Sequence, residues 1–215
     1  MEMADGKGVM HRKTRLPALV DRWRGYEVSS WIGGLLMLLA LAQINVARAE
    51  VREHLALYTV EGRDMSELRR ELDRRGPRDS DGTVFHGHTQ WEFGWQTELE
   101  ASEDGCRLSG YRLDVDITIT LPTWPGREAA PSKVAGQWDQ YLATLSSHED
   151  GHRDLVLEGY HSAGKLLAGS PSAPDCHSLT KRIEREMQRE LARIDRASER
   201  FDQTTNHGRR RTPGR

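Results

Sequence analysis

The feature that most constrains how this chain folds is a five-residue run, His148-Glu149-Asp150-Gly151-His152, with the pattern H-E-x-x-H. On an α-helix, residues four apart project from one face, one turn apart. His148 and His152 are therefore spaced to direct two imidazoles at one Zn²⁺, at about 2.0–2.1 Å from each nitrogen. Glu149 lies beside them, where a carboxylate takes a proton from a water molecule that zinc activates. The run predicts a zinc-binding helix with Glu149 as general base.

The residues around the motif are typical of a long amphipathic helix. Apolar residues recur there at steps of three and four, and the motif continues their stripe: Val134, Trp138, Tyr141, Leu142 and Leu145 before it, Leu155 and Val156 after it. We expect Ser132 to cap the helix, and Gly164 or Gly169 to end it. The alternative is a pair of core histidines without metal. It is disfavoured, because two imidazoles and a carboxylate on an apolar face need several hydrogen-bond partners to offset burial.

Residues 1–49 resemble a secretory signal peptide. Several basic residues precede an apolar run at residues 31–42, and Ala47-Arg48-Ala49 fits the small-x-small cleavage pattern before Glu50. The apolar run is shorter than the roughly 20 residues of a membrane-spanning helix. We therefore expect cleavage after Ala49 and export to the periplasm or beyond, with an uncleaved membrane anchor as the alternative.

Cysteine content agrees with export. Cys106 and Cys176 are the only two cysteines, and an even number in an oxidising compartment predicts one disulfide bond. Two unlinked thiols are the alternative. Metal ligation by them is disfavoured, because they form no closely spaced pair.

The charge balance disfavours nucleic acid as a partner. Of 31 basic and 33 acidic side chains, seven and four precede Glu50, so residues 50–215 carry 24 and 29, a formal charge of −5. Residues 209–215 are predicted to be a solvated basic tail. One domain over residues 50–208 remains.

Hydrophobic periodicity in that domain predicts an α+β fold. Strands are expected at residues 57–60, 91–96 and 113–121, and helices after Asp64, after Ser132 and at residues 178–201. A turn at residues 103–105 would pair the last two strands as a hairpin. We expect a twisted antiparallel sheet packed on long helices, with an edge where an extended peptide adds as a strand.

A catalytic zinc usually has a third protein ligand, and the pattern leaves its identity open. Glu158 and His161 lie on the same helix but point away from the histidine pair if that helix is unbroken. Glu186 or Glu190 would come from the last helix. His207 lies beyond that helix, on a segment free to fold back.

A resemblance covers most of the domain. The matching features are Tyr58-x-Val60-x-Gly62, Gly87-x-Thr89-x-Trp91, Cys106, Leu121-Pro122-x-Trp124, Trp138-x-x-Tyr141, the H-E-x-x-H run, Cys176 and Asp202-x-x-Thr205-x-His207-Gly208. With them the chain from residue 58 to residue 208 resembles a bacterial family of predicted secreted zinc-dependent proteases, long catalogued as a domain of unknown function. The resemblance implies a protease with a zincin-like helix, and its recurring terminal His-Gly favours His207 as third ligand. If the last helix packs antiparallel to the motif helix, His207 reaches the metal, and Asp202, Thr204 and Thr205 supply hydrogen bonds that fix its imidazole.

Taken together, the sequence predicts an exported zinc metallopeptidase with a peptide or protein substrate and no nucleic-acid partner. A membrane contact would arise only through an uncleaved N-terminal segment. Two alternatives share the same site: an amidase acting on cell-wall peptides, and a non-catalytic envelope binding module stabilised by zinc.

Overall fold

The computed structural model describes residues 48–79, 82–169 and 171–206. The predicted signal segment, apart from its last two residues, lies outside this range, as do His207 and the basic tail. In chain order the elements are β1 (Arg48–Thr59), α1 (Met65–Arg75), β2 (His88–Ser102), β3 (Gly105–Thr123), a 3₁₀ turn (Pro125–Arg127), α2 (Ser132–Ala168), β4 (Ser172–Ala173) and α3 (Cys176–Thr205). The α+β class is confirmed.

The sheet is mixed, so the prediction of an antiparallel sheet is wrong for β1. β2 and β3 form the expected antiparallel hairpin, turning at Gly105, whose φ of +129° favours glycine. β1 lies on the other side of β3 and runs parallel to it, in the order β1-β3-β2, while the short β4 pairs with the start of β3. β1 and β3 run parallel because α1 and the loop after it leave the chain at the end of the sheet where β1 stops, and β2 begins at that end. β2 then runs back, and β3, inserted between them, follows the direction of β1.

The caps of α1 and α2 are set by local sequence. Asp64, after which the sequence predicts this helix, caps α1 by accepting hydrogen bonds from two backbone N–H groups, and Gly76 ends the helix. α2 begins one residue earlier than expected, with Pro131 rather than Ser132 at the cap position. It then continues without a break for 37 residues and ends at Gly169, the later of the two predicted ends.

α3 is longer than its apolar pattern predicts. Asp175 caps its start, and the helix continues past Phe201 to Thr205, ending at Asn206 with a φ of 51°. The four additional residues at this end, 202–205, are all polar, so apolar periodicity alone does not detect them. They carry the helix to the metal-binding motif.

Both long helices cover one face of the sheet, as predicted. The core lies between the sheet and these helices. It consists of the inward side chains of β2 and β3 and the apolar stripes of α2 and α3, namely Trp91, Phe93, Cys106, Leu108, Leu113, Val115, Ile117, Val156, Tyr160, Ala163, Leu167, Leu179, Ile183, Met187, Leu191 and Ile194. A second cluster, built by Val60, Leu68, Leu72, Trp124 and Trp138, fixes the N-terminal half of α2 against α1.

A disulfide between Cys106 and Cys176 joins the start of β3 to the start of α3, which confirms the predicted bond. The two cysteines are 70 residues apart, and α2 lies within the loop they close. Among the described residues, no helix is long and apolar enough to cross a membrane.

Candidate metal centre

The predicted zinc motif occupies the buried face of α2 midway along that helix. His148, Glu149 and His152 are each less than 8% exposed. Leu145, one turn before the motif, and Val156, one turn after it, are buried as well and hold this stretch against the rest of the fold. The two imidazoles converge, with 3.2 Å between their Nε2 atoms. The helical spacing therefore delivers the pair of metal donors that the sequence predicts.

A third donor comes from α3. Asp202 is 6% exposed, and its Oδ1 lies 3.1 Å from Nε2 of His148 and 3.0 Å from Nε2 of His152. Asp202, which the sequence interpretation assigned to hydrogen bonding around the ligands, thus lies where a third ligand would be placed. These three residues are the group of potential ligands that the described part of the chain brings together.

The spacing of the three donor atoms fits a small tetrahedral cation. In a tetrahedral site with ligand distances of about 2.0–2.1 Å, neighbouring ligand atoms are separated by about 3.3 Å. The three separations here are 3.0, 3.1 and 3.2 Å. Two imidazole nitrogens and a carboxylate oxygen are ordinary zinc ligands, and three protein ligands leave a fourth position for water or substrate.

Hydrogen bonding around His148 indicates which ring nitrogen is free to bind a cation. Thr205 donates its hydroxyl proton to the carbonyl oxygen of Phe201 at 2.7 Å, and its Oγ1 lies 3.2 Å from Nδ1 of His148. With its proton used, Oγ1 accepts from Nδ1–H, so Nε2 of a neutral His148 carries a lone pair. That lone pair faces a carboxylate oxygen, an arrangement that repels unless a cation or proton lies between them. The site is arranged for a positive charge.

The two histidines favour the ionised form of Asp202. Burial by itself would raise the pKa of Asp202, but its close contacts with Nε2 of His148 and of His152 lower that pKa well below its usual range. Asp202 is thus held as a carboxylate, the form in which it binds a metal.

Glu149 lies next to this centre and does not join the donor triangle. Its Oε2 accepts a hydrogen bond of 2.8 Å from Oγ1 of Thr89, the second residue of β2. Burial raises the pKa of Glu149 to about 7, although neighbouring His148 and the Thr89 hydrogen bond act in the opposite direction. The carboxylate thus lies beside the donor triangle, and its role as general base stays a prediction.

Phe201 closes the contact between the two helices at the site. Its ring stacks on His148 with a centroid distance of 5.1 Å and meets His152 edge-on at 5.1 Å. Gly151 makes this approach possible, because a Cβ there would lie 2.3 Å from the Phe201 ring. The glycine within the H-E-x-x-H run therefore decides how closely α3 brings Asp202 to the histidines.

The other ligand candidates lie elsewhere. Glu158 has a 61% exposed side chain and pairs with Arg193, as expected on an unbroken helix. Glu186 and Glu190 also form surface ion pairs. The exposed His161 takes no part in the donor group. His207, the ligand favoured by the resemblance, lies outside the described residues, so its role stays a prediction.

Sequence reasoning missed Asp202 as a ligand because it ended α3 at Phe201. A signal was available, since Ile194, Ser198, Asp202 and Thr205 continue the steps of four and three on the buried face of α3. Three buried polar residues at the end of an apolar stripe indicate a site.

The fold and the site define an α+β protein with a buried two-histidine, one-carboxylate centre on packed helices. Comparison with known proteins places the chain in a family: residues 55–208 match the family described as bacterial protein of unknown function (DUF922). The match spans more than half of the chain, and the protein belongs to that family. No curated protein and no solved structure matches it.

Proposed function

We propose that this protein is a zinc-dependent peptidase in which His148, His152 and Asp202 bind one Zn²⁺ and Glu149 is the general base. The observation that carries the proposal is the donor triangle, with separations of 3.0–3.2 Å, beside a buried carboxylate that is not one of the donors. A metal site that only stabilises a fold has no need of such a base.

In this proposal the metal and the residues around it have separate roles in peptide hydrolysis. When bound, zinc supplies Lewis-acid chemistry, polarising a carbonyl and lowering the pKa of water to about 7. Glu149 takes a proton from the attacking water and later delivers it to the leaving amine nitrogen. Thr205 fixes the tautomer of His148 through Nδ1, and Phe201 holds both imidazole planes.

Metal analysis tests the ligand set. The full chain, expressed with its own N-terminal segment and purified, should contain about one zinc per molecule. Asp202→Asn should lower zinc affinity at least tenfold, whereas the control Glu158→Gln, which changes an exposed carboxylate on α2, should leave it unchanged. Equal zinc affinity in the two variants, or iron in place of zinc in the wild type, would contradict this assignment.

His207 tests whether the centre is open. It follows Asp202 by five residues in the sequence, and a fourth protein ligand would close the coordination sphere. We expect His207→Ala to weaken zinc binding less than Asp202→Asn does and to preserve hydrolysis. A zinc-free His207→Ala protein would make His207 a required ligand, as the resemblance implies.

One observation favours a second candidate, a structural zinc site in a non-catalytic module. All three donors are at least 93% buried, as in closed structural sites. Glu149→Gln separates the two, because it removes the base and retains the side-chain shape. A peptidase should keep its zinc and lose hydrolysis of labelled casein and of cell-wall peptides. If wild-type protein loaded with zinc hydrolyses neither, the structural role is correct.

The proposal includes export. The Cys106–Cys176 bond supports an oxidising compartment, since such bonds are rare in the bacterial cytosol. We place the protein in the periplasm or outside the cell, acting on peptide or protein substrates.

A further inference from the structure

The segment of residues 86–89, here called the crossing segment, passes directly over the carboxylate of Glu149. It connects the loop after α1 to the start of β2. A Cβ added to Gly87 would lie 2.7 Å from Oε1 of Glu149 and 3.0 Å from its Cγ. Only a residue without a side chain fits this approach.

Hydrogen bonds fix the crossing segment at its first residue. His86 has its Nδ1 2.7 Å from the hydroxyl of Tyr141, on α2, and its Nε2 2.8 Å from Asp73, on α1. The hydroxyl of Tyr58, at the end of β1, donates to the carbonyl oxygen of His86 at 2.7 Å. Three elements therefore hold the backbone just before Gly87.

The sheet fixes the other end. Thr89 is 2% exposed and pairs with Ile119 in the β2–β3 ladder. Its Oγ1 lies 2.8 Å from Oε2 of Glu149 and 3.2 Å from the backbone oxygen of the same residue. A threonine hydroxyl has one proton, and the shorter distance to a charged acceptor assigns it to Oε2.

We propose that Thr89 is a positioning residue for Glu149: its hydrogen bond to Oε2, together with the backbone of Gly87 lying against Oε1, fixes the plane of the carboxylate that exchanges the proton. An O–H bond of the attacking water breaks as its oxygen bonds to the carbonyl carbon and an O–H bond forms on the Glu149 carboxylate. That O–H bond breaks in turn when the proton passes to the leaving amine nitrogen, as the C–N bond of the peptide breaks. This inference rests on the proposed peptidase function and adds to it which residue orients the base.

Two substitutions isolate the hydroxyl of Thr89. Thr89→Val keeps the shape and removes the donor, whereas Thr89→Ser keeps the donor and removes only a methyl group. Thr118→Val, on the opposite face of the sheet, is the matched control. With the zinc-loaded full chain and fluorescein-labelled casein, we expect Thr89→Val to lower kcat by roughly ten- to a hundredfold with KM within about twofold. Thr89→Ser should recover most of the rate, and all variants should keep their zinc.

A second measurement does not depend on activity. In urea unfolding of the metal-free protein, Thr89→Val as a single substitution should raise the equilibrium constant of unfolding about tenfold, because it removes a buried hydrogen bond to a charged group. It should raise that constant much less in a Glu149→Ala background, where the acceptor is absent.

The outcomes separate the two claims. If wild-type protein cleaves casein and Thr89→Val cleaves it equally well, the positioning role is wrong and the peptidase assignment stands. If Thr89→Ser is as inactive as Thr89→Val, the methyl group matters and the role assigned to the hydroxyl is wrong. If zinc-loaded wild-type protein cleaves no substrate, both claims fall, although a positive unfolding cycle would still establish the Thr89–Glu149 bond.

Discussion

The glycines of α2 provide a test of how α3 positions the metal centre. Gly136, Gly151 and Gly159 all lie within one helix, so replacing any of them with alanine brings the same gain in helix propensity, about 1 kcal/mol. Their surroundings differ. A Cβ at Gly136 meets nothing within 4 Å, whereas one at Gly151 would lie 2.3 Å from Phe201 and one at Gly159 would lie 2.4 Å from Ile194.

The expected effects follow from these distances. Gly136→Ala should stabilise the protein by about 1 kcal/mol. At Gly151 the ring of Phe201 must withdraw by about 1.1 Å to reach an ordinary contact of 3.4 Å, and overpacking of this kind costs about 1–3 kcal/mol. The net change in the free energy of unfolding is then a loss of about 0–2 kcal/mol. Gly159→Ala should behave similarly, since its clash is equally close.

Zinc binding distinguishes the two overpacked variants. Phe201 precedes Asp202, whose Oδ1 is 3.0–3.1 Å from the two imidazole nitrogens, and a shift of about 1 Å removes it from a ligand position. Gly151→Ala should therefore lower zinc affinity by roughly ten- to a hundredfold, while Gly159→Ala, two turns along α2, should change it little.

Urea unfolding of the metal-free proteins measures the stability differences, and competition with a zinc indicator measures affinity. The double variant Gly151→Ala/Phe201→Leu, which has a smaller side chain at position 201, should recover part of the lost stability and part of the lost zinc affinity. If Gly151→Ala is as stable as Gly136→Ala and binds zinc as tightly as the wild type, Phe201 does not set the position of Asp202, and the reasoning is wrong.

Three further predictions concern the fold and its processing. Replacing both Cys106 and Cys176 with serine should lower the free energy of unfolding by about 4 kcal/mol, because the disulfide closes a loop of 70 residues. Urea unfolding of the wild type with and without reductant would detect the same loss, and equal stability of the oxidised and reduced protein would contradict this prediction. Intact mass of protein recovered from the cell envelope should show cleavage after Ala49, whereas a retained N-terminus would indicate a membrane anchor. Hydrogen bonds from Ser178 lower the pKa of Asp175, so the stability this cap contributes is present above about pH 4 and is lost as the pH falls through the lower folded pKa. The unfolding midpoints of wild type and Asp175→Ala should accordingly differ at pH 7 and converge at low pH; a constant difference would show that the charge of the cap is irrelevant.

Local patterns in the sequence determined the parts of this protein that depend on neighbouring residues. The helix that carries His148 and His152 follows from steps of three and four, because the α-helix repeats every 3.6 residues. The β2–β3 hairpin follows from strict alternation around a short turn that contains a glycine. The caps Asp64 and Asp175 satisfy backbone groups only two or three residues away, and of these two the sequence analysis recognised Asp64.

The direction of β1 depended on tertiary structure. The sequence of Arg48–Thr59 does not determine whether this strand pairs with β2 or with β3. The strand lies at the exposed edge of the sheet, where Leu55 is 64% and Leu57 60% exposed, so its hydrophobic pattern is weak. Pairing across more than 60 residues is set by where α1 returns the chain and by which strand already occupies the space beside β2.

The completed site also depended on tertiary structure. The H-E-x-x-H pattern supplies two donors and a base, since these lie within one helical turn. Asp202 and Thr89 join them from 50 and 60 residues away, and their identity follows from how α3 and β2 pack against α2. That packing is governed by the absence of side chains at Gly87 and Gly151, which lets a backbone segment and an aromatic ring approach within distances that any Cβ would forbid. A sequence pattern records which residues are small, but only the folded chain shows what occupies the space they leave.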